Sequence, residues 1–272
     1  MTGNILIVVT VSSDICLHLP MYFFLVNLSV LETWYMTVIA PSLLVGLLKK
    51  SNHISLHACL MQFFFFGWMA CTECLLLTLM AFDRYIAICF PLQYGTLMNQ
   101  NHCLMMTMGA WVIGFAPPFV TVFLLWDLYF CDCTEIDHFF CDFAPLLKAA
   151  CSDTFLAERV PFVMSFAILS TPFLLIIASY VYIISAILRI PSSTGRHRAF
   201  STCSSHLIVV VLYFGTLIAL FVVPTSGHSV NLNKILSLLY TVVTPMINPV
   251  IYTLRNKEFR VAFNRVVHRK GL

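Results

Sequence analysis

Charge is what this sequence has least of. Of 272 residues, 15 are Lys or Arg and 12 are Asp or Glu, 10% in all, against 60% hydrophobic residues. A soluble domain carries roughly 25% charged residues. This chain cannot clothe a globular surface with polar groups, so it has to be solvated by lipid. The net charge of +3 is small, and no basic cluster is interleaved with aromatics for base stacking, which speaks against a nucleic-acid partner. Glycine is scarce too, with ten residues. None forms a Walker loop, a dinucleotide-binding set or a Gly-x-Ser-x-Gly elbow, and there is no His-Glu-x-x-His. These absences argue against an enzyme. Without an internal repeat, low-complexity tract or linker, the chain reads as one domain over 1–272.

What is present is a series of apolar runs, at about 1–16, 21–47, 58–89, 102–126, 157–188, 199–224 and 231–254. A helix needs ~20 apolar residues to cross a bilayer, so the pattern predicts an all-α membrane protein with seven spans. Prolines inside the runs (Pro41, Pro117, Pro172 and Pro245) are tolerable because neighbouring helices satisfy the freed backbone groups. Run 1–16 is short; as a helix it covers ~24 Å of a ~30 Å hydrocarbon core. It has neither a basic start nor a small-residue cleavage site, so a signal peptide is the weaker reading.

Lysine and arginine set the orientation. Lys49, Lys50, Lys148, Arg159 and Lys234 fall on one side; Arg84, Arg189, Arg196, Arg198, Arg255, Lys257, Arg260, Arg265, Arg269 and Lys270 fall on the other. The richer side is expected in the cytoplasm, with the N-terminus outside and the C-terminus inside. Of eleven cysteines, Cys16, Cys71, Cys74, Cys89, Cys103 and Cys203 lie in or beside spans or on the inner side, where small apolar packing explains them. Cys59, Cys131, Cys133, Cys141 and Cys151 fall on the outer side, where oxidation is permitted, but spacing does not choose their pairing. His138-x-x-Cys141-Asp142 also offers ligands for copper or zinc, a role that oxidation of Cys141 would forbid.

Two acids, Glu32 and Glu73, stand deep in spans two and three. Each would cost at least ~2.5 kcal/mol facing lipid, so both should face the interior. At the inner end of span three stands Met80-Ala81-Phe82-Asp83-Arg84-Tyr85-Ile86-Ala87-Ile88-Cys89. Span seven ends Thr244-Pro245-Met246-Ile247-Asn248-Pro249-Val250-Ile251-Tyr252-Thr253-Leu254-Arg255-Asn256-Lys257. Its second proline gives a hinge and Tyr252 a polar group able to change partners. After it, Phe259, Phe263, Val266 and Val267 recur among basic residues, the pattern of an amphipathic helix on the inner leaflet.

These strings resemble the signatures of the rhodopsin-like G-protein-coupled receptors and, in their flanks, of the odorant (olfactory) receptors. So do Leu17-His18-x-Pro20-Met21-Tyr22-Phe23-Phe24-Leu25, Ser179-Tyr180, and Ala199-Phe200-Ser201-Thr202-Cys203-Ser204-Ser205-His206 after Arg198. The loop segment Phe130-Cys131 to Cys151-Ser152-Asp153 resembles the family's second outer loop. The resemblance covers nearly the whole chain. It implies a seven-helix plasma-membrane receptor with a short amphipathic C-terminal helix, coupled to a stimulatory G protein that raises cyclic AMP. Helix one reads as truncated, with Gly3-Asn4 at its middle. The sole Asn-x-Ser/Thr triplet, Asn27-Leu28-Ser29, lies inside span two, so poor trafficking and dependence on a trafficking chaperone are expected.

The resemblance assigns the switch to Asp83, Arg84, Tyr85, Tyr180, Asn248, Pro249 and Tyr252, and disulfides to Cys59–Cys141 and Cys131–Cys151, leaving Cys133 over. It implies a sodium ion among Glu32, Glu73, Asn248 and Asn4; a proton-sharing pair without metal is the alternative. No other cofactor is implied. The ligand cavity falls to Phe66, Gly67, Ala70, Cys71, Met164, Ser165, Ile168, Phe214, Leu217, Ile218, Phe221, Leu238 and Thr241. Such lining suits a small, mostly neutral, apolar volatile. Two departures stand out. Tyr213-Phe214-Gly215 replaces the family's usual Phe-Tyr-Gly, taking a hydroxyl from the cavity floor. Val223-Pro224 stands where a basic residue often precedes the proline, disfavouring carboxylic acids. A non-functional family member and, more remotely, a small-solute transporter are the competing readings.

Overall fold

The computed structural model describes residues 1–48, 54–130, 140–222, 235–255 and 257–270. Ten helices are named here in chain order: α1 Thr2–Ser13, α2 Pro20–Leu48, α3 Leu56–Cys89, α4 Tyr94–Leu97, α5 Gln100–Trp126, α6 Phe143–Ala149, α7 Phe155–Leu188, α8 Ser193–Val222, α9 Thr244–Arg255 and α10 Lys257–Lys270. A π-helical stretch, Leu239–Val243, leads into α9. Six segments are long and apolar enough to cross a membrane: Pro20–Val45, α3, α5, α7, Ser193–Leu220 and Ile235–Thr253; α1 is a shorter apolar helix. The architecture is an all-helical membrane bundle. Among the described residues the only β-pairing is an isolated bridge between Phe130 and Ala150.

The helix starts follow local chemistry. Ser55 Oγ accepts from Ala58 N at the head of α3, and Asn99 Oδ1 accepts from His102 N at the head of α5. Each satisfies an amide that the first turn leaves without a carbonyl. The α3 cap residue Phe90 precedes Pro91, which disfavours helical backbone before it. The chain then turns through α4 into α5.

Small residues and polar ties set the helix spacing. Between helices in lipid the drive is packing and hydrogen bonding rather than escape from water. A Cβ on Gly114 of α5 would stand 2.9 Å from the backbone nitrogen of Thr72 on α3. Nearby, Trp68 Nε1 donates to the Trp111 carbonyl at 2.9 Å, tying α3 to α5 again. A Cβ on Gly3 would stand 2.9 Å from Pro249 Cβ, so α1 lies directly on the proline of α9. At one end of the bundle, Cys59 of α3 is bonded to Cys141. Gln62, one turn below, accepts from Cys141 N and donates to the Val38 carbonyl and Ser42 Oγ of α2. Cys59, Leu60, Val122, Leu125, Cys141 and Leu146 close this end as one apolar cluster. At the other end, α10 buries Phe259 and Ala262 against the α1–α2 turn. There Arg265 Nε meets Asp14 Oδ2 at 3.4 Å and Tyr22 Oη donates to Glu258 Oε2 at 3.3 Å.

Two expectations follow. Gly114→Ala should lower stability by about 1–3 kcal/mol, because a backbone atom cannot yield to the new methyl. Gly109→Ala, with open space around it, should be neutral; thermal melting in detergent reads both. Loss of the loop bond in Cys141→Ser should cost ~2–4 kcal/mol and release the disulfide end first, seen as faster amide exchange at the start of α3.

Candidate functional site

At the end of the bundle opposite the disulfide, Asp83 is fully buried. Its Oδ1 is hydrogen-bonded, whereas its Oδ2 is ion-paired without a hydrogen bond. Tyr94 Oη, on α4, donates to Oδ1 at 2.8 Å, and Arg84 Nη2 lies 3.3 Å from Oδ2. Tyr94 stands between the spanning helices; burial, and next the Asp83 charge, raise its phenol above the ordinary range, so it remains a donor. Arg84 is thus folded back on its neighbour, and its Nε has no hydrogen-bond partner. The Tyr85 ring packs against Tyr182 of α7 at 5.8 Å and Phe90 at 5.5 Å. Beyond Phe90, Leu92 is 99% exposed on the turn before α4.

Above Asp83, Tyr180 of α7 meets a residue that motif reading gave no role. His206 of α8 is completely buried. Its Nδ1 lies 2.7 Å from Tyr180 Oη, and its Nε2 lies 3.1 Å from the Leu77 carbonyl of α3. A carbonyl can only accept, so Nε2 carries the hydrogen and Nδ1 accepts from the tyrosine. The imidazole therefore bridges α3, α7 and α8. Tyr252 of α9 is buried, and its hydroxyl is unpartnered.

Mid-bundle, Glu32 of α2 and Glu73 of α3 face the interior, both buried. Asn248 Nδ2 donates to Glu32 Oε1, and the Asn4 side chain of α1 also bonds to Glu32. The close approach of Gly3 to Pro249 brings α1 near enough for this. Three buried oxygens around the acids lack hydrogen bonds: Asn4 Oδ1, Asn248 Oδ1 and Glu73 Oε1. An all-oxygen set with unfilled acceptors suits a hard cation, so the residues fit a sodium ion.

Toward the disulfide end, Phe66 sits in an aromatic cluster, with ring centroids 5.1 Å from Tyr35, 5.1 Å from Phe140 and 5.7 Å from Tyr240. Tyr240 and Thr241, neighbours inside the π stretch, are both buried. Thr241 Oγ1 is spent on the Ser237 carbonyl. Ala70, Cys71, Met164, Ser165, Ile168, Leu217 and Leu238 are half-buried, Phe214 is buried and Ile218 is exposed. Gly67 faces elsewhere: a Cβ there would stand 3.0 Å from Pro118 of α5, so it serves helix approach. Tyr35, Phe140 and Tyr240 join this region without motif signals. A separate cavity of about 490 Å³ lies between α1 and α2, lined by Ile5, Val8, Val9, Val30, Thr33, Trp34 and Thr37. It opens on the lipid-facing side and holds no ionisable group.

Phe221, by its side chain, and Cys131, Cys133, His138, Val223 and Pro224 lie outside the described residues. Cys151 is disulfide-bonded. Cys141, oxidised with Cys59, cannot serve as a metal thiolate, which removes the copper or zinc reading of His138-x-x-Cys141-Asp142.

Comparison with known proteins places this geometry. The family described as olfactory receptor matches residues 1–270. Human olfactory receptor 11L1 is 46% identical over 268 residues, 98% of this chain and 83% of its own length. Human olfactory receptor 11A1 is 47% identical over 265 residues, 97% of this chain and 84% of its own. Rat olfactory receptor 226 is 44% identical over 272 residues, 98% of this chain and 83% of its own. A seven-helix bundle with an ion-paired Asp83-Arg84 at one end and a buried acid cluster at its centre is thus carried by a chain that belongs to the olfactory receptor family.

Proposed function

We propose that this receptor binds a small, mostly neutral, apolar volatile between α3, α7, α8 and the π stretch, and answers by activating a stimulatory G protein that raises cyclic AMP. The observation that carries the coupling is the state of Arg84. It is held by Asp83 while one of its nitrogens and the Tyr252 hydroxyl stay unsatisfied. Buried polar groups without partners cost about 1–3 kcal/mol each. An arrangement that gave both groups partners would therefore lie within reach of ligand binding energy. Exposed Leu92 and the Arg84 rim form the surface for the G protein.

The Lys and Arg distribution supports placing that rim in the cytoplasm of the plasma membrane, with the N-terminus outside. Membrane lipids bound the spans, and a trafficking chaperone assists delivery. Asn4, Glu32, Glu73 and Asn248 would hold a sodium ion, which would supply the positive charge the two carboxylates need in a low-dielectric interior.

In cells supplied with the chaperone and a cyclic AMP reporter, an odorant panel should elicit stronger responses to alcohols and esters than to the matching short fatty acids. Arg84→Ala should abolish those responses with surface amount unchanged. Full responses in Arg84→Ala, or a preference for the acids, would refute the corresponding part of the proposal. Raising sodium should weaken agonist potency in wild type and do so much less in Glu73→Gln. Equal sodium response in both would remove the ion.

A further inference from the structure

Among the described residues, side chains of α8 bond to backbone carbonyls of α3 at two places. His206 of α8 reaches the Leu77 carbonyl of α3 at 3.1 Å. Tyr213 of α8 reaches the Ala70 carbonyl of α3 at 2.7 Å. Both residues of each pair are seven positions apart on their helices, in opposite directions, so the ties lie about two turns, ~10 Å, apart on one face of each helix. The Tyr213 hydroxyl also meets the Cys74 thiol at 3.5 Å, one turn from Ala70. Its ring is 1% exposed and packs on Phe214 at 5.5 Å. Tyr213-Phe214-Gly215 carries its hydroxyl one residue earlier than the usual family order. One residue turns a helix by about 100°, which aims this hydroxyl at α3.

We infer that Tyr213 is a positioning residue: its hydroxyl, held on the Ala70 carbonyl and the Cys74 thiol, latches α8 to α3 beside the candidate ligand-lining residues Ala70 and Cys71, and a ligand seated there acts by opening it. The signalling half of this rests on the receptor reading above; the latch does not. The lower tie at His206 sits among the switch residues, whereas the upper one touches the cavity wall. A guest that pushes on Ala70 or Cys71 therefore strains the upper tie first and frees the disulfide-end half of the α3–α8 seam. A phenylalanine at this position would fill the same space and leave the seam without its upper tie.

The full chain in microsomes, where it is held whether or not it reaches the cell surface, is treated with methyl methanethiosulfonate, and Cys74 and Cys103 adducts are followed by mass spectrometry. Tyr213→Phe is expected to speed modification of Cys74 by about fivefold, the weight of one buried neutral hydrogen bond, and to leave buried Cys103 unchanged. Tyr213→Phe combined with Phe214→Tyr, which returns the hydroxyl one residue on, should behave like the single variant. In the reporter cells, Tyr213→Phe should raise unstimulated cyclic AMP per surface receptor by a similar factor. An unchanged Cys74 rate overturns the latch, as does a parallel rise at Cys103, which marks general loosening. If Cys74 opens while agonist-treated wild type stays silent, the latch stands and the G-protein reading fails. If wild type responds and the variant's unstimulated signal matches it, the link from latch to signalling is overturned.

Discussion

Inside hydrocarbon a polar side chain has to find its partner on another helix, because no water stands ready to supply one. Most of the specific contacts in this bundle follow from that constraint, and α3 is where they converge. Along its length it sends Gln62 to α2 and to the disulfide loop, Trp68 to α5, the Ala70 and Leu77 carbonyls to α8, and Asp83 to α4. Apolar packing fills the space between these ties but does not choose among neighbouring registers. The hydrogen bonds do, since a slip of one residue would strand several of them at once.

The same constraint separates the satisfied parts of the molecule from the unsatisfied ones. The disulfide end is closed: Gln62 uses its amide hydrogens and its oxygen, and the aromatic cluster around Phe66 leaves little free. The centre and the Arg84 end are not closed. Atoms without hydrogen-bond partners are found there on Asn4, Glu73, Asp83, Arg84, Thr107, Asn248 and Tyr252. A closed end and an open end fit the proposal that ligand enters at one and the G protein docks at the other.

Much of this was legible beforehand because it is written in composition and in short strings. The apolar runs located most of the long helices to within a few residues, since a bilayer imposes both length and greasiness, but α8 begins at Ser193, six residues before its run. Glu32, Glu73 and Asp83 announced themselves as charges in an apolar background. Other features left no such mark. Tyr94 reaches Asp83 only because the chain turns between Phe90 and Gln93, just before α4. His206 looked like one polar residue among many at the head of α8. Gly67 carried no sign that its bare face meets Pro118 rather than the cavity. The short helix α6 lies in a stretch whose pattern is dominated by cysteines and acids. Contacts made between elements, rather than within one, are the ones a linear reading misses.

The π stretch at Leu239–Val243 has an effect on heredity of the fold as well as on its shape. Such a bulge holds one residue more than an α-turn over the same rise. Removing a single residue there would restore regular helix, leave the flanking turns in place against the Asn248-Pro249 hinge, and re-aim only the side chains inside the stretch. Tyr240 would leave Phe66 and another side chain would face the aromatic cluster, with no residue of the hinge altered. A one-codon deletion at this point is thus a route by which a lineage could change what its receptor detects while keeping the rest of the machinery intact.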